Sequence, residues 1–422
     1  MSDFSKEERV AFEDILEGFN DALVLSRNVS VYSGLTETED ERTNDIVWRP
    51  QPYVGVTYDG QDQSSNFTGY TQLSVPSTIG YYKSAPWIMD AKELRDRLQE
   101  GRIDKGARQR LASDINVAVM NVASLYGTNW VKRTAAASGF DDISQCDSLF
   151  NEIGVNTEDR YIALAPRDYN SMASNLASRA TMNKKPETAY EKALIDSNIS
   201  GFMAYKMQYA YRLQAAAGGG SLTMDTRASA NNYYTPVATR TAATGERSNV
   251  DNRFQQVTIS STTGVAAGDA FTVAGVNAVH LIAKQDTGQL KTFRVVSVDS
   301  STTMTVTPPI ISNQGSTRAE EEYQNCVVTE ASAAAIVFLN TVAANVSPFW
   351  HRDAIELRPS TIAVPSDAGM AVMRGSTDQG IEVVMMKQAN IDNTKTKYRI
   401  DTRFGVTAVQ PEMMGGIQFS QT

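Results

Sequence analysis

The chain has 422 residues, of which 41% are hydrophobic and 21% are charged, and its formal net charge is -9 at neutral pH. At about 100–200 residues per domain, this length predicts two to four domains. The 2 His and 2 Cys are too few for a histidine-rich metal site, a zinc ribbon or a disulfide scaffold within one chain. We therefore expect reduced thiols, no metal and no cofactor.

The charge pattern also argues against nucleic-acid recognition and against a membrane protein. No run of basic residues is longer than two, and an acidic subunit repels polyanions. The N-terminus is charged from its third residue, which speaks against a signal peptide. The uncharged stretch 331–350 contains several polar residues and a proline, so we expect a buried helix there and not a membrane span. These features predict a soluble intracellular protein.

The first predicted element is a helix over residues 6–25. One face carries the apolar residues Phe12, Leu16, Phe19 and Leu23, at spacings of four, three and four. The opposite face carries four acids, namely Glu7, Asp14, Glu17 and Asp21. Like charges at these spacings weaken a helix by a few tenths of a kcal/mol per pair. Two interpretations stay open: the acidic face is solvated, or it receives a basic helix of a partner protein.

The next elements are a hairpin and a long helix. Two strand-like runs, 46–56 and 70–75, flank a polar tip and predict a long hairpin whose prolines suit edge strands. An apolar stripe over residues 90–127 predicts a helix of about 50 Å, or two shorter helices broken near Gly101. Such extended elements need neighbouring subunits to cover their apolar faces.

The middle of the chain changes from mixed to β character. We expect a strand at 160–165, a helix over 166–180 and a short helix over 187–196, followed by a glycine-rich hinge at 215–221. Short β-branched runs at 254–259, 271–276, 293–298 and 304–307 then predict a small antiparallel barrel or sandwich.

The last part returns to mixed character. The pattern predicts a helix over 320–344 and strands at 355–364, 370–374, 381–387 and 398–409. This order of elements predicts an α+β protein with an all-β module inserted into a mixed host domain.

The sequence contains no recognisable catalytic constellation. The phosphate-loop, nucleophile-elbow and zinc-protease patterns are missing. His280 and His351 lie far apart in sequence, and Asp147 beside Cys146 predicts a poor nucleophile. A hydrolase that uses Asp141 and Asp142 is the enzymatic alternative, and a β-rich tail or adhesin protein is another. The pattern favours a structural protein over both.

Eight short segments, distributed along the whole chain, carry a resemblance to one protein family. They lie at residues 43–50, 91–96, 107–112, 248–254, 257–264, 274–276, 348–355 and 398–412. The run 248–254 includes Asn249, Asp251, Asn252, Arg253 and Phe254. Together these segments resemble the major coat (capsid) proteins of short-tailed double-stranded DNA phages of the P-twenty-two type.

The resemblance implies the tailed-phage capsid fold of the Hong Kong 97 type, with an inserted antiparallel β-barrel domain. On this mapping residues 1–40 form an N-terminal arm and 46–80 an extended loop. Residues 81–219 form the peripheral domain, with the spine helix at 90–127, and the first part of the axial domain. Residues 220–345 form the inserted domain, and 346–422 complete the axial and peripheral domains.

The resemblance also implies partners. Family members form pentamers and hexamers in an icosahedral shell, usually of triangulation number seven, around a scaffolding protein. A portal protein occupies one vertex, and the virion capsid, assembled in the host cytoplasm, encloses double-stranded DNA without sequence-specific binding and without a membrane. A cellular nanocompartment shell of the same fold is the alternative.

Two sets of residues are candidates for contacts between proteins. Aromatic residues of the extended loop are expected at the assembly interface: Trp48, Tyr53, Tyr58, Phe67 and Tyr70. Acids of the first helix are expected at the scaffold contact: Asp14, Glu17 and Asp21.

Overall fold

The computed structural model describes residues 4–32, 46–52, 55–64, 66–67, 69–90, 93, 105–178, 198–217, 222–224, 233–312, 314–315, 317–329, 333–364, 370–390 and 395–422. The chain divides into two compact units, each built from separate stretches of sequence. The first unit contains Met1–Val47, Ser77–Val119 and Glu356–Thr407. The second contains Trp48–Pro76, Met120–Ile355 and Ala408–Thr422.

Helices and strands alternate irregularly along the described chain. The helices are α1 (Lys6–Ala22), α2 (Lys105–Tyr126), α3 (Phe140–Ile153), α4 (Pro166–Ser178) and α5 (Arg318–Tyr323). Short 3-10 turns lie at Ser26–Asn28, Arg352–Ala354 and Pro411–Met413.

The strands are numbered in chain order. The first twelve are β1 (Ser30–Val31), β2 (Ile46–Pro50), β3 (Ser74–Thr78), β4 (Tyr81–Met89), β5 (Asn129–Lys132), β6 (Arg160–Leu164), β7 (Asn198–Ile199), β8 (Phe202–Lys206), β9 (Arg212–Leu213), β10 (Thr223–Met224), β11 (Thr239–Thr241) and β12 (Arg247–Asn249). The others are β13 (Gln255–Thr258), β14 (Ala270–Val279), β15 (Asp286–Val298), β16 (Thr303–Thr307), β17 (Cys326–Val328), β18 (Ala334–Phe338), β19 (Ala344–Asn345), β20 (Ser347–His351), β21 (Ile355–Pro359), β22 (Ala371–Ser376), β23 (Glu382–Ala389), β24 (Thr396–Ala408) and β25 (Met414–Gln418).

A six-stranded sheet forms the first unit together with α1. Its strands follow the order β1-β21-β24-β23-β22, and β4 pairs with β24. A Cβ atom added at Gly375 of β22 would lie 3.0 Å from the side chains of both Leu16 and Phe12, so α1 packs its apolar face on this sheet. The predicted strands at 355–364, 370–374, 381–387 and 398–409 are confirmed as β21 to β24, with shifted ends.

The predicted first helix is confirmed as α1, although it ends at Ala22 and not at residue 25. Phe12 is 4% exposed and Phe19 is fully buried, and Leu23 beyond the helix end is also buried. The sheet of the same chain covers this apolar face, so α1 needs no neighbouring subunit for that purpose.

The second unit contains a mixed sheet covered by two helices. Its order is β5-β25-β20-β6-β8-β7, in which β5 lies parallel to β25 and β6 lies parallel to β8. The core beneath α3 and α4 includes the tilted rings of Phe150, Phe202 and Phe349. The predicted strand at 160–165 and helix over 166–180 are confirmed as β6 and α4, whereas residues 187–196 lie outside the described residues.

A seven-stranded antiparallel sheet in the second unit closes on itself. Its order is β10-β18-β14-β15-β16-β13, and β17 also pairs with β14. A bridge between Met224 of β10 and Ile259, just beyond β13, joins the two ends of this order. The Ser260 N–H donates to the Thr223 carbonyl at 2.9 Å and reinforces the closure. Closure leaves fewer unpaired strand edges than an open sheet. The predicted antiparallel barrel is therefore confirmed.

Alternation explains why these strands form a barrel. Buried residues alternate with exposed ones along β13 and β18, as expected for strands with one face toward a core. The barrel interior holds Val257, Phe271, Val273, Phe293, Val295, Met304 and Val306. The rings of Phe271 and Phe293 stack at 5.7 Å between centroids across the paired strands β14 and β15.

One sequence prediction is wrong, and two others are confirmed over the described residues only in part. The helix expected over 320–344, and with it the buried helix at 331–350, is wrong: α5 ends at Tyr323, and β17, β18 and β19 follow. Along β18, Ala334 and Ile336 are buried whereas Ala335 and Val337 are exposed, an alternation of two that suits a barrel wall. The long helix is described only as α2, and most of 91–104 lies outside the described residues. The hairpin is confirmed, and among its described residues the paired strands are β2 and β3.

Candidate assembly interface

The first helix begins with a capping box that also reaches into the sheet. Ser5 and Glu8 cap each other, because the Ser5 N–H donates to Glu8 Oε2 at 2.8 Å and the Glu8 N–H donates to Ser5 Oγ at 3.2 Å. Glu8 is only 1% exposed. Its carboxylate therefore needs partners from the surface on which α1 lies.

Lys387 and Tyr398 provide those partners from adjacent strands. They are directly opposite each other in the register of β23 and β24. Lys387 Nζ donates to Glu8 Oε1 at 2.7 Å, and the Tyr398 hydroxyl donates to the same oxygen at 2.6 Å. Burial raises the pKa of the Tyr398 hydroxyl, and the neighbouring carboxylate raises it further. We call Glu8, Lys387 and Tyr398 the arm anchor, since it fixes the N-terminal helix to the sheet.

The arm anchor makes a pH-dependent prediction. Burial by itself raises the pKa of Glu8, but the hydrogen bonds from Lys387 and Tyr398 outweigh it and hold the pKa below its usual value. A carboxylate of this kind stabilises the fold above its unfolded-state pKa of about 4.3 and loses that effect as the pH falls through the lower folded pKa. At pH 7, Glu8→Gln should lower the free energy of unfolding by about 2 kcal/mol.

Urea unfolding followed by circular dichroism at pH 7 and in acid checks this prediction. The difference between wild type and Glu8→Gln should shrink as the pH drops below about 4, because the wild-type carboxylate then becomes protonated. Glu13→Gln on the exposed side of the same helix is the matched control and should change stability by less than about 0.5 kcal/mol. A Glu8→Gln effect that is equal at both pH values would contradict the anchor.

The outward face of α1 carries the predicted scaffold-contact acids. Asp14 and Glu17 are exposed, and the side chain of Asp21 lies outside the described residues, as does that of Glu7. On the helical projection Val10 falls between Asp14 and Glu17, and it is 51% exposed. The outward face of α1 therefore presents one exposed apolar side chain between two acids.

The extended loop brings some of the predicted aromatic residues to its exposed surface. Phe67 is 88% exposed and Tyr70 is 64% exposed. Trp48 of β2 is half-buried, and Tyr53 lies outside the described residues. The fifth residue, Tyr58, lies under the guanidinium of Arg318. Among the described loop aromatics, Phe67 and Tyr70 therefore expose most of their side-chain surface.

Residues of α5 bind the base of the extended loop. The sequence did not predict this contact. The Thr71 N–H donates to Glu322 Oε2 at 3.2 Å, and the Leu73 N–H donates to the Tyr323 hydroxyl at 3.2 Å. At the tip, Arg318 donates to the Tyr58 hydroxyl at 2.6 Å. The helix predicted over 320–344 overlaps α5, but nothing in the sequence indicated its contacts with the loop.

The inserted-domain motif fixes a hairpin and the chain around it. Asn252 is buried; its Oδ1 accepts from the Tyr234 hydroxyl and the Val237 N–H, and its Nδ2 donates to two carbonyls. These bonds hold the start and the end of the β11–β12 hairpin together, which explains the asparagine. Asn249, the last residue of β12, is exposed and pairs across the hairpin with Thr239.

The rest of the motif connects the insertion to distant parts of the second unit. Arg253 pairs with Asp251 at 2.7 Å and donates to the Ala408 carbonyl at 2.6 Å. Phe254 packs on Tyr126 at 6.0 Å between ring centroids. The described contacts of these motif residues are therefore structural.

The residues considered for catalysis have other roles or unsuitable chemistry. Asp142 is buried, where it accepts hydrogen bonds from the Ser138 and Gly139 N–H groups at the start of α3. Burial raises the pKa of both thiols, to about 12 for Cys326 and further for Cys146. Among the described residues, no group of three or more His, Cys, Asp and Glu side chains is placed to hold a metal ion.

The length and hydrophobicity of the described helices can be compared with those of a membrane span. In the described part of the chain, no helix combines the length and the apolar character needed to span a bilayer.

Several solved structures share a likeness with this chain. The capsid of the cyanophage P-SCSP1u is 10% identical over 95% of this chain and 89% of its own, with a TM-score of 0.44. The coat protein I-domain of CUS-3 is 37% identical over 29% of this chain and 99% of its own, with a TM-score of 0.23. The virus-like particle of Pyrococcus furiosus is 8% identical over 96% of both chains, with a TM-score of 0.36.

A comparison with protein families covers nearly the whole chain. The model described as "P22 coat protein - gene protein 5" matches residues 2–420. This match favours a phage coat protein over the nanocompartment shell, the hydrolase and the tail protein. The chain belongs to the P22 coat protein family and is a major capsid protein, a self-associating subunit of the phage virion shell.

Proposed function

We propose that this subunit builds a closed icosahedral shell of triangulation number seven from pentamers and hexamers. The observation that carries the proposal is the family match over residues 2–420, and the exposed rings of Phe67 and Tyr70 support it. Rings of subunits use heterologous contacts that close by rotation, and an exposed aromatic loop is suited to such contacts. The role is structural and not enzymatic.

The shell needs further partners. We propose assembly in the host cytoplasm around a scaffolding protein, with a portal protein at one vertex and double-stranded DNA packaged inside. The net charge of -9 supports an interior that does not bind DNA tightly, because phosphates are repelled by acidic protein surfaces.

The domain assignment stays part of this proposal. It comprises an arm at 1–40, an extended loop at 46–80, a peripheral domain within 81–219 and an inserted domain at 220–345, with 346–422 completing the host. The closed seven-stranded barrel, whose strands β10 to β18 all fall within 220–345, supports the inserted domain.

The scaffold contact is proposed on the outward face of α1. The arm anchor fixes the opposite side of the helix to the sheet, and the exposed side presents Val10 between Asp14 and Glu17. An apolar centre with an acidic rim fits a basic amphipathic helix. Complementary charge guides the encounter and weakens with salt, which suits a partner that must later leave.

A double charge reversal tests the scaffold contact. Asp14→Lys with Glu17→Lys should leave folding nearly unchanged, because both side chains are exposed, but should reduce scaffold incorporation about tenfold or more. Scaffold content of purified particles, measured by gel densitometry, provides the readout. The wild-type content should fall steeply when assembly takes place at rising salt.

A matched control separates net charge from position. Glu152→Lys with Glu158→Lys makes the same charge change at exposed sites outside α1 and should leave incorporation normal. The contact is wrong if the α1 variant takes up scaffold normally and wild-type uptake is indifferent to salt.

A further inference from the structure

The second unit contains a cavity of about 420 Å³. Its wall comes from the base of the extended loop, the end of α3, the barrel and the segment before β25. Six of its lining residues matter most for binding: Leu73, Lys284, Ile311, Glu322, Tyr323 and Glu412. Binding sites for small molecules have volumes of about 300–1,000 Å³ and are mostly apolar with a few polar groups.

Much of the wall is apolar. Leu73 and Ile311 are almost completely buried and form a small core with Tyr323, and Leu281, Ile282 and the prolines extend it. This cluster gives the cavity an apolar side on which a hydrocarbon chain can lie.

Charged residues on the wall are paired, with one exception. Glu322 pairs with Arg318 at 2.9 Å, Glu412 with Lys291 at 2.5 Å, and Arg253 with Asp251. Lys284 Nζ donates to the Gln324 carbonyl at 3.0 Å, and no carboxylate of the described residues lies within ion-pair distance of it. Burial lowers the pKa of the Lys284 ammonium, although Glu412 partly offsets this effect from a greater distance.

The loop that carries Lys284 is held in an unfavourable conformation. Lys284 has a φ of 54°, in the left-handed region that lysine rarely adopts. His280 Nδ1 accepts from the Ile282 and Ala283 N–H groups at 3.3 and 3.1 Å, and the His280 carbonyl accepts from the Lys284 N–H at 2.8 Å. Strain of this kind is concentrated at ligand-binding sites. In this loop the strained backbone keeps the Lys284 ammonium at the cavity wall.

We propose that this cavity binds a single-chain amphiphile with one negative charge, namely a medium-chain fatty acid. The carboxylate pairs with Lys284, and the alkyl chain lies on Leu73, Ile311 and Tyr323. At about 30 Å³ per heavy atom, the volume of a water molecule in the liquid, the cavity holds about twelve to fourteen heavy atoms. Decanoate has twelve. A dianion is disfavoured, since Glu322 and Glu412 already line the wall.

The bound fatty acid would join parts of the chain that are distant in sequence. It would touch the loop base through Leu73, the barrel through Lys284 and Ile311, and the C-terminal segment through Met413. A ligand that binds only the folded state raises its stability by mass action. Decanoate should therefore raise the melting temperature of the subunit.

Titration calorimetry of the full-length subunit with sodium decanoate, below its micelle-forming concentration, tests the proposal. We expect saturable binding at one site per chain. Decanol has the chain without the charge and acetate has the charge without the chain, so both should bind about tenfold more weakly or worse.

Variants locate the site. Lys284→Met retains an apolar stem but removes the charge, and should reduce decanoate affinity about tenfold while leaving decanol binding unchanged. Lys284→Arg keeps the positive charge and should retain most of the wild-type affinity for decanoate. Retained binding by this variant also shows that a chain substituted at position 284 still folds. Lys397→Met, at an exposed lysine that does not line the cavity, is the matched control and should bind as wild type. Absence of saturable binding, or equal decanoate binding by wild type and Lys284→Met, would overturn the proposal.

Discussion

Replacing Arg294 by methionine is expected to lower the free energy of unfolding by about 3–5 kcal/mol, because three buried carbonyls lose hydrogen bonds whose absence costs about 1–3 kcal/mol each. Arg294 lies on β15 and is fully buried. Its guanidinium donates to the Gly268 carbonyl at 2.7 Å, to the Ser124 carbonyl at 2.8 Å and to the Gly127 carbonyl at 3.2 Å. Methionine fills much of the same space but leaves these three carbonyls without a donor.

The position of these carbonyls explains why the residue is an arginine. Ser124 belongs to the last turn of α2 and Gly127 follows the helix end, where carbonyls without helical partners give a partial negative charge. The guanidinium also lies over the ring of Trp130, at 4.4 Å from its centroid. Burial lowers the pKa of Arg294 to about 9, so the group remains charged at neutral pH.

Urea denaturation of the full-length subunit, followed by circular dichroism, measures the effect. Arg294→Lys should recover little of the loss, since an ammonium cannot serve three carbonyls in the geometry of the guanidinium fork. Arg240→Met, at an exposed arginine, is the matched control and should change stability by less than about 0.5 kcal/mol. A loss below about 1 kcal/mol for Arg294→Met would contradict the role given to this residue.

Replacing Phe67 by aspartate is expected to abolish shells while leaving the subunit folded. The ring is 88% exposed, so its loss costs almost nothing within one chain. If a neighbour covers it in the shell, the substitution removes about 2–3 kcal/mol of apolar burial and places a charge in the contact. The same contact is repeated throughout a shell, so a small defect in each subunit has a large effect on particle yield.

Sedimentation of assembly reactions measures that yield, and thermal melting of the free subunit shows whether it is folded. Val298→Asp makes the same kind of change at another exposed apolar position and should assemble as wild type. Deleting residues 56–67 should have the same outcome as Phe67→Asp. Normal shells from the Phe67 variant would remove the extended-loop tip from the assembly interface.

Elements with regular burial patterns were predictable from the sequence. In α1 the apolar residues recur every three to four positions, and in β24 Tyr398, Ile400 and Phe404 share one buried face. The capping pair Ser5 and Glu8 and its extension to the sheet were not predicted. Local periodicity was sufficient to predict a helix or strand wherever a single neighbouring element covers one of its faces.

The helix expected over 320–344 shows where this reasoning fails. Its alanine-rich stretch favours a helix locally, but β18 is held between β10 and β14, and pairing with two strands outweighs intrinsic propensity. The contacts of Arg294 with Ser124 and of Tyr323 with Leu73 join residues more than a hundred positions apart. Such contacts depend on the complete fold, so no pattern in the sequence indicated them.

Electron microscopy of particles from cells that express the chain with the proposed scaffolding protein shows whether the subunit builds a shell. The family assignment and the proposed interface predict closed, hollow icosahedral shells of uniform size, in which rings of five and six subunits can be counted and the Phe67 loop contacts a neighbouring subunit. A chain that remains a stable monomer under every condition, with and without scaffold, would contradict the account.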